Sequence, residues 1–354
     1  MNILNNREMI KKIDTQDMLS SIEKLADQVT ETIDQGEKFS LPKSYKKIKN
    51  VVVAGMGGSA LPTRIIKSVY RDIIKIPIEI SNDYHLPGFV DKNTLVVLSS
   101  YSGSTEEVLS AAQEAVKRKA KIVIITAGKN LAELVVKKNF PGLVFTTKNN
   151  PCGSPRMGLG YAIIGQLLIF ARVGLIKINK KELNAVINTI KKYTKLYGVD
   201  TKENLAKHTA LLLKNRFVLF MAGEHLVGSA HVAANQMNEN NKRLAVSFPF
   251  PELNHHLLEG MKFPVNNERG VLAIIFNSNL YDTRIQKRIN ITRLVLSQNN
   301  IATVEYLLAE DNRLLQAFEA LVFSSYLSFY GAILEGIDPT AIPFVDFFKA
   351  QLKK

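Results

Sequence analysis

Short β-branched runs that alternate with helix-length segments constrain this chain more than any other feature. They read VVVAG from 51, IPIEI from 76, TLVVLSS from 94, KIVIIT from 121 and LVFTT from 143. Such apolar runs, separated by stretches long enough for a helix, predict a parallel sheet with helices on both faces. A second strand-first series opens at RFVLFMAG (216–223), continues through VLAIIF from 271 and ATVEYLL from 302, and ends in an apolar helix over 313–335. Setting LFMAGEHLVGSA (219–230) beside VVVAGMGGSALP (51–62) aligns a strand end, a glycine turn and a helix start, with Gly223 on Gly55. The expected architecture is α/β, with two similar doubly wound subdomains, each a parallel sheet flanked by helices.

The boundaries follow from where the pattern changes. Residues 1–40 carry Met18, Ile22, Leu25 and Val29 at three- and four-residue steps, which predicts an amphipathic N-terminal helix packed on the first domain. The first domain is expected over 41–175. A polar, Lys-rich helical stretch over 176–207 reads as a connector, and 208–354 as the second domain with a C-terminal helical segment. At ~150 residues per domain, 354 residues suit two.

Composition excludes several function classes. The net charge of +14, from 46 Lys and Arg against 32 Asp and Glu, favours anionic partners. The lysines stand singly or in pairs, as at Lys46 and Lys47 or Lys191 and Lys192, without basic runs interleaved with aromatics, so no nucleic acid partner is expected. Uninterrupted apolar stretches such as 167–171 and 217–222 fall short of the ~20 residues that cross a bilayer, so no membrane is expected either. The N-terminus lacks the apolar core of a signal peptide, and Cys152 is the only cysteine. Both point to a reducing cytoplasm.

Two turns carry chemistry. AGMGGSA (54–60) lies between a buried strand and a helix start, where glycines let backbone N–H groups approach an anion. Its Gly55-x-Gly57-x-x-Ala60 also matches the looser dinucleotide fingerprint, with Glu79 or Asp83 at a suitable distance, and a purely structural turn fits too. The second turn, Ser99 to Glu107, sets hydroxyls directly after an apolar strand. Ser104 and Glu107 suit a capping box, but a cap needs one hydroxyl, and the excess at Ser100, Ser102 and Thr105 suits a phosphate. Both loops would converge at the carboxyl edge of one sheet, where open α/β sheets bind ligands. The counterpart in the second half, IIFNSNLYDTR (274–284), has few hydroxyls and no glycine, so a single phosphate site is expected.

VVVAGMGGSA followed by SSYSGSTEE resembles the sugar isomerase (SIS) domain, which binds phosphosugars. NPCGSPRMGLGY, NQMNENNK, FPELNHHLLEGM and DPTAIPFVDFFK are similar to segments of the bifunctional phosphoglucose/phosphomannose isomerase family. The resemblance runs from about residue 45 to the C-terminus. It implies an aldose–ketose isomerase of hexose 6-phosphates without a cofactor or metal, working as a homodimer with a shared active site. Gly57, Gly58, Ser59, Ser100, Ser102 and Thr105 are the implied phosphate-binding residues.

Interconverting an aldose and a ketose phosphate requires ring opening and removal of a proton beside a carbonyl, hence a base and a ring-opening group. Glu239, between amides in NQMNENNK, suits the base, and the family places its proton-shuttling glutamate there; by itself it also fits a solvated helix-surface residue. His255 in PELNHHLLEG matches the family's ring-opening histidine, which is supplied by the neighbouring subunit. His256 is then a packing or surface residue. Arg156 suits stabilisation of the enediolate oxygens, or alternatively caps a surface loop. Lys349 matches the family's C-terminal lysine that assists ring opening; composition alone makes it an exposed lysine. A zinc role for the His255–His256 pair with Glu259 lacks further ligands. The rival from another class is a non-catalytic phosphosugar-binding regulator, which would need neither Glu239 nor His255. A nicotinamide-dependent dehydrogenase is disfavoured by the hydroxyl turn, and an amide-transferring glucosamine phosphate synthase by the absence of a glutaminase half.

Overall fold

Val51, Val52 and Val53 are wholly buried because the strand that holds them lies in the middle of a sheet covered on both faces. In the computed structural model, which describes residues 2–352, the chain opens with three helices where the periodicity predicts one: α1 (Arg7–Ile13), α2 (Met18–Glu23) and α3 (Leu25–Glu37). Asp14 accepts the backbone N–H groups of Met18 and Leu19, both at 2.8 Å, and so starts α2. The predicted stripe of Met18, Ile22, Leu25 and Val29 is buried all the same. Gln28 on α3 donates to the carbonyls of Asn149 and Met157, each at 3.0 Å, tying the N-terminal segment to the loop that carries Arg156.

The first sheet comprises β1 (Asn50–Ala54), β2 (Ile78–Ser81), β3 (Thr94–Ser100), β4 (Lys121–Thr126) and β5 (Gly142–Val144), all parallel in the order β2-β1-β3-β4-β5. The connecting helices are α4 (Leu61–Val69), α5 (Glu106–Lys117) and α6 (Lys129–Lys137), and α7 (Leu159–Arg172) follows β5. Helix α7 packs on α3 and α4.

Next come α8 (Lys180–Tyr197) and α9 (Leu205–Leu211). Asn179 and Glu182 form a reciprocal capping box at the start of α8. Its apolar face, with Val186, Ile190 and Tyr193 buried, packs against α3 and a long later helix, so this polar stretch also joins the two halves through a core.

The second sheet comprises β6 (Phe217–Gly223), β7 (Ala245–Phe250), β8 (Val271–Ser278) and β9 (Ala302–Leu308), parallel in the order β7-β6-β8-β9. Between these strands lie α10 (Val227–Asn240), α11 (Asn267–Gly270) and α12 (Thr283–Gln298); α13 (Arg313–Leu334) and α14 (Pro343–Gln351) complete the chain. Edge strand β7 is absent from the sequence reading, because AVSFPF contains Pro249, which lacks an N–H and suits an edge alone. Helix α13 is the one described helix long and apolar enough to cross a membrane, and it lies almost wholly inside the fold. The halves meet where α4 packs on α10, with Gly228 N–H donating to Ser68 Oγ at 3.1 Å.

Candidate active site

At the carboxyl edge of the first sheet, β1 passes through Gly55 into a 3-10 turn, Gly57–Ser59, in which Gly57 has a positive φ of 46°. A Cβ on Gly58 would lie 2.8 Å from the nitrogen of Arg156 and the carbonyl carbon of Pro155. Only glycine lets this turn close on the facing turn Pro155–Met157. Ser59 Oγ accepts the N–H of Tyr101 at 3.0 Å, and Ser59 O accepts Ser99 Oγ at 2.8 Å. The Ser59 side chain therefore braces the glycine turn against the hydroxyl turn.

In the hydroxyl turn, Ser100 Oγ accepts the N–H of Gly103 at 3.1 Å and pairs with Thr105 Oγ1 at 2.7 Å. Ser102 is exposed at the mouth and accepts the N–H of Ser104 at 3.3 Å. The Ser104–Glu107 capping box does not form: Thr105 occupies the cap position of α5 and makes no side-chain cap bond. The α5 N-terminus thus keeps backbone N–H groups and partial positive charge facing a ring of hydroxyls, an arrangement that suits a phosphate dianion.

Arg156 is buried rather than a surface residue, at 1% exposure. Its Nε donates to Asn240 Oδ1 at 2.5 Å, Nη1 to Glu239 Oε2 at 3.2 Å, and Nη2 to the carbonyls of Pro339 and Thr340 at 3.0 and 2.9 Å. Burial holds its pKa below the usual arginine value, with the Glu239 carboxylate opposing. Glu239, in the last turn of α10, is about a third exposed. A carboxylate that is paired with a buried guanidinium and still partly open to solvent keeps the chemistry of a proton acceptor. The sequence reading missed three members of this cluster: Asn240, Lys242 and the 338–340 loop. The signals available were the amides and lysine of NENNK and the segment DPTAIPFVDFFK, which carried the family resemblance without a role for residues 338–340.

His255 is not brought to Glu239 within one chain. Helix α10 starts at the carboxyl end of β6 and runs back over the sheet, where Asn238 exchanges hydrogen bonds with Ala245 at the start of β7. Strand β7 then returns to the carboxyl edge, and His255 follows it in the exposed turn Glu252–His255. The 14 residues of α10 span ~21 Å, so Glu239 and His255 sit at opposite ends of the second sheet. His256 contacts Glu252 at 2.7 Å and is exposed. Lys349 lies on α14, which has no buried residue and leaves Phe344, Phe347 and Phe348 exposed.

The profile of the SIS domain matches residues 44–134, and that of the bacterial phospho-glucose isomerase C-terminal SIS domain matches residues 202–352. A crystal structure of a hypothetical protein from Thermus thermophilus superposes with a TM-score of 0.76 over 98% of this chain and 93% of its own, at 16% identity, and so shares the fold. A bifunctional phosphoglucose/phosphomannose isomerase from Thermoplasma volcanium is 29% identical over 89% of this chain and 96% of its own. The enzyme of that name from Caldicellulosiruptor bescii is 32% identical over 95% of this chain and 98% of its own. With two matching domain profiles and 32% identity along nearly its whole length to an enzyme of that name, the chain belongs to the bifunctional phosphoglucose/phosphomannose isomerase family.

Proposed function

We propose that this protein interconverts glucose 6-phosphate and mannose 6-phosphate with fructose 6-phosphate. The observation that carries the reading is Glu239, held by buried Arg156, whose backbone closes on the Gly57–Ser59 turn. The phosphate is seated by the amides of the Gly57–Gly58 turn and of α5, together with the hydroxyls of Ser100, Ser102 and Thr105. Glu239 takes the proton from C2 of the open aldose, giving a cis-enediolate, and returns it to C1. Meanwhile O2 becomes the carbonyl oxygen and O1 gains the hydroxyl proton. The enediolate has lost the stereochemistry of C2, so both epimers pass through one intermediate. Arg156 commits four of its five N–H groups within the chain and acts chiefly by orienting Glu239.

Ring opening needs a second proton carrier, and His255 of the partner subunit fills that role in a two-fold dimer, since the chain's own His255 lies across the second sheet from Glu239. Lys349 joins it from α14. A coupled assay with each of the three hexose phosphates tests the reaction: turnover of both aldoses is expected. Binding without turnover would identify a phosphosugar sensor instead. Mixing inactive Glu239→Gln and His255→Ala subunits tests the sharing, because one site of each heterodimer then carries both native groups. Verified heterodimers as dead as both parents would place His255 outside the partner's site.

A further inference from the structure

We propose, resting on the functional reading above, that Lys242 is a positioning residue for the isomerisation: with Arg156 it clamps the 338–340 loop, and so the start of α14, against Glu239. Lys242 stands two residues past the end of α10 in a left-handed conformation, φ 51°, which a non-glycine residue keeps only when its surroundings hold it. Its Nζ donates to the carbonyls of Asp338 at 2.7 Å, Pro339 at 3.0 Å and Asn240 at 3.1 Å. An ammonium has three protons, and all three are taken by backbone oxygens, so none is left for a substrate.

The Pro339 carbonyl also accepts Arg156 Nη2, so the two cations meet on one oxygen. The Asp338 side chain closes the loop from the other side, accepting Thr340 N–H at 2.8 Å and Thr15 Oγ1 at 2.5 Å. The loop is thus pinned from the first-half turn, the end of α10 and the N-terminal segment. Helix α14, which begins three residues beyond Thr340, buries nothing of its own. The direction in which it carries Lys349 therefore depends on this loop.

The charged groups facing Lys242 are Arg156 from the Pro155–Met157 turn, Glu239 from α10 and Asp338 from the loop. Burial, then Arg156, pull its pKa down to about 8, while Asp338 and Glu239 oppose them. The clamped amine gives up its proton more readily than a solvated lysine, whose value is near 10.5, so opening the clamp takes up a proton above about pH 8, and raising the pH through that range favours the closed loop.

Hydrogen–deuterium exchange over 338–352 and steady-state kinetics on the full chain test this together. Lys242→Met should speed exchange there about tenfold or more. It should also lower kcat about 100-fold through a displaced catalytic helix, with the KM for fructose 6-phosphate changed far less. Lys242→Arg should restore most of both, since a guanidinium keeps the charge and the donors. With the intrinsic pH dependence of amide exchange divided out, the wild-type protein should show opening of this loop grow rarer as the pH rises above about 8, whether or not the methionine variant folds. Unchanged exchange in Lys242→Met, or a normal kcat despite a loosened loop, overturns the proposal. A wild-type protein inactive on all three hexose phosphates would sink the functional reading, while exchange alone would still decide whether the clamp exists.

Discussion

After β1 the chain turns through Gly57 with φ 46°, and after β6 it turns through Glu224 with φ 42°. Both turns sit where strand order reverses, since β2 and β3 flank β1 just as β7 and β8 flank β6, and such switch points open a crevice at the carboxyl edge. In the first half the crevice meets the uncapped start of α5 and its hydroxyls. In the second, Glu224 Oε1 accepts the N–H of Asp282 at 3.0 Å, and Asp282 accepts the N–H of Arg284 at 2.8 Å, so the start of α12 is already served by carboxylates. The same turn geometry recurs in both halves, but the helix start beside it lacks a side-chain cap only in the first. The second half contributes differently: its helix α10 reaches back to set Glu239 beside the first half's turn.

If the first half binds and the second reacts, Glu239→Gln should lower kcat by ~100 to 10,000-fold with KM nearly intact. Near wild-type turnover would break the division of labour. Replacing both Ser102 and Thr105 with alanine should instead raise KM, each lost charge-assisted bond being worth ~1.5–3 kcal/mol, and inorganic phosphate should inhibit the variant less than the wild type. An unchanged KM with a lower Tm would show that these hydroxyls only shape the helix start.

The halves should also differ in their response to acid. His225, in the turn before α10, and His231, in the first half of α10, are held neutral by burial, with pKa values pushed down to about 4. Unfolded histidine takes its proton near 6.5, so the stability they contribute is present above that pH and is lost as the pH falls toward about 4. His85 of the first half is exposed beside Glu114, which raises its pKa. Thermal melts from pH 7 downward should therefore lose Tm through the second half, and His231→Gln should flatten that loss. A variant with the wild-type acid profile would remove His231 from the account. The smallest effect is expected from Glu224→Gly. Kinetics should stay within about twofold and stability within about 1 kcal/mol, because relief of the left-handed strain offsets the lost contact to Asp282. A large rise in KM would show that the second crevice takes part in catalysis.

The strands, the glycine turn and the hydroxyl turn were legible in the sequence because each is written in contiguous residues: apolar runs for burial, glycine where φ is positive, hydroxyls after a strand end. The same local logic failed at β7, where Pro249 disguises an edge strand, and over 1–40, where Asp14 starts a new helix inside one apolar stripe. The site was half legible. Gly57, Ser100 and Thr105 stand in recognisable turns, and Glu239 became visible only through a family resemblance. Nothing local links Arg156 to Glu239, 83 positions away, or either of them to the 338–340 loop. That convergence was decided by tertiary structure alone, because it depends on how α10 packs against α4 and how the N-terminal helices brace the Arg156 turn. A buried cation must find its acceptors wherever packing places them, and sequence spacing does not encode that distance.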